Sequence, residues 1–223
     1  MPRERYQDSL DELRSDVLAM GDQVVEQFER SLEAVEHRDE SLARSVAEGD
    51  DAVNETYLRL EDRCVDLFAL QQPVAGDLRF VTASFKITTD LERIGDLAVN
   101  LADYLRTASR TLSPEVQLDA IGEAARSLVE RSLAAYEAED AAACRAVAAD
   151  DDEVDALCQR ASESVTRDLI AGSDGDGWEV ERLLDDVSRV LLTIRDLERV
   201  ADHAVNIAAR TLYMTEGDPE LLY

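Results

Sequence analysis

Two groups of oxygen-bearing side chains recur in this chain at helical spacing, and each combines a glutamate, an aspartate and an asparagine. Successive members are four residues apart, which is about 400° of an α-helix, so the three side chains lie along one slowly drifting stripe. Carboxylate and amide oxygens suit hard or borderline cations such as iron, manganese, magnesium and calcium. The candidate metal ligands are therefore Glu92, Asp96 and Asn100 in the first group and Glu198, Asp202 and Asn206 in the second.

Neighbouring carboxylates on one helix repel each other unless a positive charge compensates them. Arg93 and Arg199, which directly follow the two glutamates, could supply that charge, although a residue at i+1 projects about 100° away. A bound cation is the other source, because carboxylates that project inward from bundle helices form metal sites. A chain with 50 acidic residues also produces such pairs by chance on solvated faces. The residues alone leave these interpretations open.

Two further pairs could complete such sites from a neighbouring helix. Asp50 and Asn54 correspond to Asp151 and Asp155 in the second half of the chain, and both pairs again have four-residue spacing. Asp155 is accordingly a further candidate ligand. The alternative is that both pairs mark a solvated stretch of helix, kinked in the first half near Gly49.

Other catalytic chemistry is not indicated by the sequence. Only two histidines are present, His37 and His203, so nucleophile sets that need histidine are not expected. His203 occupies the position of Leu97 in the other group, and we expect a surface or hydrogen-bonded histidine there. The three cysteines lack CxxC spacing and are predicted to be buried thiols, and no thiolate zinc site is expected. The glycine-rich stretch 172–177 has no lysine and is too acidic to bind phosphate.

The elements that position the acidic groups repeat along the chain. Residues 90–102 and 196–208 are identical at nine of thirteen positions, which predicts duplication of a unit of about a hundred residues. Apolar residues at alternating three- and four-residue intervals predict three long helices in each unit. Asp39 is the predicted N-cap of the second helix, and Ser113-Pro114-Glu115 is the predicted start of the fourth. The expected helices cover about residues 6–37, 39–70, 74–111, 114–136, 141–171 and 178–213.

The composition is unusually acidic, with a net charge of −27 and a single lysine, Lys86. Such a surface repels phosphate backbones and anionic membranes, so direct binding to nucleic acid or to an anionic membrane surface is not expected. Insertion into a membrane is not expected either, because no apolar run is long enough to span one. High acidity with almost no lysine is typical of proteins that remain soluble at high salt. The N-terminus lacks an apolar signal-type segment. We therefore expect a cytoplasmic, halophilic protein.

Three stretches together resemble the PhoU family of phosphate-uptake regulators. They are the motif Asp-Leu-Glu-Arg-(Ile/Val)-(Gly/Ala)-Asp-x-Ala-Val-Asn in the third helix of each unit, the approach to helix three at 70–79, and the segment 49–54 of helix two. The resemblance covers essentially the whole chain. It implies an all-α fold of two tandem three-helix bundles related by pseudo-two-fold symmetry, with repeats at 1–111 and 112–223.

The resemblance also implies a function. The protein would be a negative regulator of phosphate uptake, not an enzyme, that acts as a homodimer through contacts with a phosphate ABC transporter, a sensor histidine kinase, or both. It would bind a multinuclear metal centre of iron or zinc, with manganese or magnesium as further candidates. The implied ligands are Glu92 and Asp96 in one repeat and Glu198 and Asp202 in the other, supported by Asn100 and Asn206.

One departure and two alternatives accompany this interpretation. Asn54 stands where the second repeat has Asp155, so the first site is expected to be weaker or differently completed. One alternative function is an accessory regulator of a different anion or potassium transporter. The other is a carboxylate-bridged metal enzyme or metal store, which would ordinarily need Glu-x-x-His patterns that this sequence lacks.

Overall fold

The computed structural model describes residues 2–70, 75–107, 116–171 and 177–222, and within them the chain is helical and contains no β-strand. The all-α prediction is confirmed. Three long helices are followed by three more, and a short 3₁₀ turn lies near the end of the chain. The elements are α1 (Pro2–His37), α2 (Glu40–Leu70), α3 (Ala75–Thr107), α4 (Leu118–Ala138), α5 (Ala141–Ala171), α6 (Gly177–Glu216) and the 3₁₀ turn (Glu220–Leu222).

The helix boundaries differ from the prediction in places. The helix α2 continues through Gly49. Helix α4 starts later than predicted, because Val116 and Gln117 are not helical; Val116 is buried, and its carbonyl accepts a hydrogen bond from the N–H of Leu118 (2.9 Å). The predicted start at 113–115, the predicted stop at 71–73 and the repeat boundary at 111/112 lie outside the described residues.

The turns between the first two helices of each repeat are copies of each other. Asp39 accepts hydrogen bonds from the N–H groups of Ser41 (2.9 Å) and Leu42 (3.0 Å), which confirms it as the N-cap of α2. Asp140 accepts the equivalent bonds at the start of α5, at the same two distances. The residues before them, Arg38 and Glu139, both have left-handed backbone, with φ of 52° and 51°. The same local geometry at an offset of 101 residues supports the predicted duplication.

Helices α3 and α6, which carry the repeated motif, lie at the centre of the molecule. Helix α3 packs against α1, α2 and α6, and α6 packs against α3, α4 and α5, whereas α2 and α5 are edge helices. The apolar residues beside the acidic groups are buried, as predicted from their spacing. One hydrophobic core includes residues of all six helices, so the two repeats stabilise each other.

Polar contacts show that α3 and α6 cross in antiparallel orientation at the motif. Asp90 of α3 lies opposite His203 and Asn206 of α6, whereas Tyr104, further along α3, lies opposite Asp196, earlier on α6. The all-α fold with two repeats is therefore organised about the pseudo-two-fold relation between these two helices. The three cysteines are free and buried, as predicted. Among the described helices, none is both long enough and apolar enough to cross a membrane.

Candidate metal centres

The first acidic cluster consists of Asp50 and Asn54 on α2 with Glu92 and Asp96 on α3. Asp50 is held by two amide donors, Gln27 Nε2 at 3.1 Å and Asn54 Nδ2 at 2.8 Å. Gln27 was not among the predicted site residues, although a glutamine on the otherwise apolar face of α1 could have indicated it. Its side chain is almost completely buried. Both carboxylate oxygens of Asp50 are thus satisfied by neutral donors.

Arg93 compensates the other two acids of the first acidic cluster. Its Nε lies 3.5 Å from Glu92 Oε2, and its Nη1 lies 3.1 Å from Asp96 Oδ2. Burial raises the pKa of Glu92, and the charges of Asp96 and Asp50 raise it further, while Arg93 lowers it. Arg93 therefore supplies one positive charge to these two carboxylates.

Gly95 provides the space for Gln27 to reach Asp50. A Cβ atom at this position would lie 3.2 Å from Gln27 Oε1 and 3.7 Å from Asp50 Oδ1. The same Gln27 oxygen is buried without a hydrogen-bond partner in the described part of the chain. An unpaired amide oxygen is less costly to bury than an unpaired charge, so the cluster remains largely self-satisfied.

The second acidic cluster consists of Asp151 and Asp155 on α5 with Glu198 and Asp202 on α6. Three residues of the first cluster are replaced at the equivalent positions. Asp155 replaces the donor Asn54, Leu128 replaces the donor Gln27, and Ala201 replaces Gly95. Within the described residues, the buried Oδ1 atom of Asp151 has no hydrogen-bond partner.

The electrostatics of the second acidic cluster reflect this lack of compensation. Burial, followed by the charges of Asp155, Asp202, Asp152 and Glu198, raises the pKa of Asp151 to about 6. Burial also raises the pKa of Glu198 and of Asp202, and Asp155 raises both further. Four acids that oppose each other's ionisation form a site where a cation would be stabilised.

Arg199 does not take the role that Arg93 has in the first repeat. Its Nη1 pairs with Asp196 Oδ1 at 3.4 Å, and Arg195 Nη2 pairs with the same oxygen at 3.3 Å. Tyr104 donates a hydrogen bond to the other Asp196 oxygen at 3.1 Å. The charge of Arg199 lowers the pKa of Asp202, but its ion pair lies outside the second acidic cluster.

The difference between Leu97 and His203 explains why Arg93 and Arg199 form different ion pairs. His203 Nδ1 lies 2.9 Å from Asp90 Oδ1 and satisfies the counterpart of Asp196 from the opposite repeat. Across the pseudo-two-fold, the position equivalent to His203 is the buried Leu97, which cannot bind Asp196. Asp196 is therefore compensated by arginines, and Arg199 makes its ion pair outside the second acidic cluster.

The predicted carboxylate ligands lie in the two acidic clusters, whereas the two predicted asparagine ligands do not. Glu92 and Asp96 come together with Asp50, and Asp155, Glu198 and Asp202 come together with Asp151. Asn206 instead donates to Asp90 across the repeats at 3.3 Å, and Asn100 is exposed. No group of three or more His, Cys, Asp or Glu side chains in the described ranges is already arranged to hold one metal ion.

Cys158 lies beside the second acidic cluster. In the metal-free protein, burial and the charges of Glu198, Asp155, Asp151 and Asp202 raise its pKa to about 12. Its thiol donates to the carbonyl of Ile194 at 3.9 Å. The second cluster thus offers four carboxylates, one of them with a buried, unpartnered oxygen, although the described residues do not surround a single ion position. In the first cluster, two amide donors contact Asp50, and the guanidinium group of Arg93 contacts Glu92 and Asp96.

Comparisons with known proteins agree with the repeat and the fold. A family model described as the PhoU domain matches residues 17–105 and again 118–211. The phosphate-specific transport system accessory protein PhoU homolog of Clostridium acetobutylicum is 30% identical over 220 residues, which is 97% of each chain. The homolog of Pseudomonas aeruginosa is 32% identical and covers 96% of this chain and 86% of its own length.

Two solved structures share the architecture over nearly the whole chain. The crystal structure of PhoU from Pseudomonas aeruginosa superposes with a TM-score of 0.84 at 31% identity, covering 96% of this chain and all of the other. The structure of the phosphate transport system regulatory protein PhoU from Streptococcus pneumoniae gives a TM-score of 0.85 at 27% identity, with 96% and 98% covered. The two-repeat helical fold is common to all three.

The raised pKa of Asp151 predicts a pH-dependent stability effect in metal-free protein. The folded pKa of about 6 exceeds the ordinary value of 3.8, so the folded state binds the proton more tightly than the unfolded state. The destabilisation caused by ionised Asp151 is absent below about pH 4 and complete above about pH 6. Asp151→Asn, melted with chelator present, should therefore have a higher Tm than the wild type at pH 7, with the difference vanishing towards pH 4.

The matched control is Asp50→Asn in the first repeat. Asp50 accepts hydrogen bonds from two amide donors, and an asparagine would place an NH₂ group against one of them. This variant should melt lower than the wild type at pH 7. A lower Tm for Asp151→Asn, or an increase that does not change with pH, would contradict the assignment of unpaired charge to the second repeat.

Proposed function

Because this chain belongs to the PhoU family, we propose that it is an accessory regulator of a phosphate transport system that restrains phosphate uptake. It would act through protein contacts with a phosphate ABC transporter, a sensor histidine kinase, or both. The observation that most supports this role is that both repeats match the family model and the relatives named as transport accessory proteins match along nearly their whole length. The regulator is proposed to be non-enzymatic.

The proposed working form is a homodimer in a cytoplasm of high salt concentration. The net charge of −27 supports this environment, because self-repulsion of such a surface falls as the screening length shortens. At about 1 M salt the Debye length is only about 3 Å, so two acidic protomers can approach each other closely.

The second acidic cluster is the proposed metal centre. Asp151, Asp155, Glu198 and Asp202 would hold iron, zinc, manganese or magnesium, and carboxylates of this kind can bridge more than one ion. Bound metal would supply the positive charge that this repeat lacks. The four acids join α5 to α6, so their neutralisation would brace these helices or change the charge that a partner protein meets.

The first acidic cluster is proposed to bind metal far more weakly. Arg93 already contacts Glu92 and Asp96, and a cation would have to displace it. Asp50 would in addition have to give up its two amide donors. Arg93 therefore acts as an internal substitute for a metal ion in this repeat.

Metal analysis of purified variants tests this assignment. Asp151→Asn/Asp155→Asn should lose most of the metal that the wild-type protein carries, because two of the four carboxylates are replaced by neutral amides. The matched variant Glu92→Gln/Asp96→Asn should retain it. Metal contents are measured by inductively coupled plasma mass spectrometry after gel filtration, and helical circular dichroism confirms that each variant is folded. Equal loss in both variants would overturn the distinction between the repeats.

Phosphate uptake in cells tests the regulatory role. Deletion of the gene should raise the uptake of radiolabelled phosphate in phosphate-rich medium, since the restraint on the transporter is removed. A plasmid copy of the gene should restore the lower rate. Unchanged phosphate uptake accompanied by altered uptake of potassium or another anion would instead favour a regulator of a different transporter.

A further inference from the structure

The outer face of the edge helix α2 exposes three large apolar side chains. Leu58 is 58% exposed, Val65 is 54% exposed and Phe68 is 38% exposed. Their spacing of seven and three residues places them on one side of the helix. Helix α2 packs against α1 and α3 through other residues, such as the buried Leu60 and Cys64.

The second repeat shows that the fold does not require apolar residues on this face. Buried Leu60 and Cys64 of α2 correspond to buried Ala161 and Val165 of α5, which fixes the register between the two helices. In that register Leu58 and Val65 correspond to Gln159 and Thr166, and both are exposed polar residues. The duplicated unit is formed with polar residues at these two positions, so packing within the protein does not account for Leu58 and Val65. Phe68 corresponds to the apolar Leu169, which packs against the core of the second repeat.

Charge around the exposed apolar residues is predominantly negative. Glu55, Asp62 and Asp66 are exposed beside them, and Arg59 is an exposed basic residue of this segment. Arg63 is turned towards α1, where it pairs with Glu12 at 2.5 Å and also with Asp16. These carboxylates complement a basic partner, whereas an anionic membrane would bring negative charge against them.

We propose that this face, formed by Leu58, Val65 and Phe68 with the carboxylates of Glu55, Asp62 and Asp66, is a docking surface for a basic amphipathic helix of a partner protein. The partner helix carries apolar residues at three- and four-residue spacing, which pack on the leucine, valine and phenylalanine. Lysine or arginine residues beside its apolar stripe face the carboxylates. The inference rests on the proposed function only in that the regulator acts by protein contact, and it uses a face separate from both acidic clusters.

A labelled model peptide tests the surface directly. The probe is an 18-residue helix with leucines at i, i+3, i+4 and i+7 and lysines along the flanks, and its binding is followed by fluorescence anisotropy. Its control is a peptide of identical composition with the leucines scrambled. The variant Leu58→Gln/Val65→Thr gives α2 the residues that α5 already carries, so it is expected to fold with an unchanged helical spectrum.

The wild-type protein should bind the amphipathic peptide at least tenfold more tightly than the double variant does. The scrambled peptide should bind both proteins weakly and equally, through charge alone. A second variant, Asp62→Asn/Asp66→Asn, should weaken binding of the amphipathic peptide and reduce its salt dependence. This assay needs neither phosphate uptake nor metal, so its failure is distinct from failure of the proposed function.

Two results would overturn the proposal. One is equal affinity of the amphipathic peptide for the wild type and Leu58→Gln/Val65→Thr. The other is a wild-type dimer, measured by sedimentation equilibrium, that the same double variant converts to a monomer, because the occupant of the face would then be a second copy of this chain.

Discussion

The buried carboxylate of Asp196 constrains the polar chemistry of both repeats. Its side chain is fully buried at the crossing of α3 and α6, where an ionised acid is costly unless charged and hydrogen-bonding groups compensate it. Two arginines and Tyr104 provide that compensation. Its counterpart Asp90 is served by His203 and Asn206 from the opposite helix. Because Leu97 stands where a second histidine would be needed, Arg199 is committed to Asp196, while Arg93 remains available to the first acidic cluster.

The two copies of the duplicated unit therefore share one fold but differ in how their acidic clusters are neutralised and in what their outer helices expose. The first repeat neutralises its own acids with Arg93, Asn54 and Gln27 and exposes apolar residues on the outer face of α2. The second repeat carries polar Gln159 and Thr166 at the positions of Leu58 and Val65, and no ion pair to its four carboxylates is found among the described residues. In the proposed regulator, partner contact and cation binding would therefore use separate halves. The shared core couples the halves, since α3 and α6 pack directly against each other.

Features set by local interactions could be predicted from the sequence, whereas contacts between distant parts of the chain could not. Helical periodicity, the Asp39 cap and the internal repeat are local or internal patterns, and they were sufficient for the helices and for placing Glu92 and Glu198 beside the core. The partners of Asp90 and Asp196 depend on the antiparallel crossing of two helices that are 106 residues apart in the chain. No local pattern specifies that register, so the engagement of Asn206 and Arg199 outside the acidic clusters could not be predicted. Gln27 was missed because its role depends on the space left by Gly95.

The position of bound metal is the most direct test of the difference between the repeats: among the described residues, Arg93 contacts the acids of the first cluster, whereas Arg199 pairs outside the second cluster. Crystals of the protein purified without chelator can be measured at the absorption edges of iron, zinc and manganese. We expect an anomalous peak between α5 and α6 at Asp151, Asp155, Glu198 and Asp202, with Arg93 still paired to Glu92 and Asp96 in the first repeat. Peaks of equal height in the two repeats, or a peak at the first acidic cluster alone, would contradict this expectation.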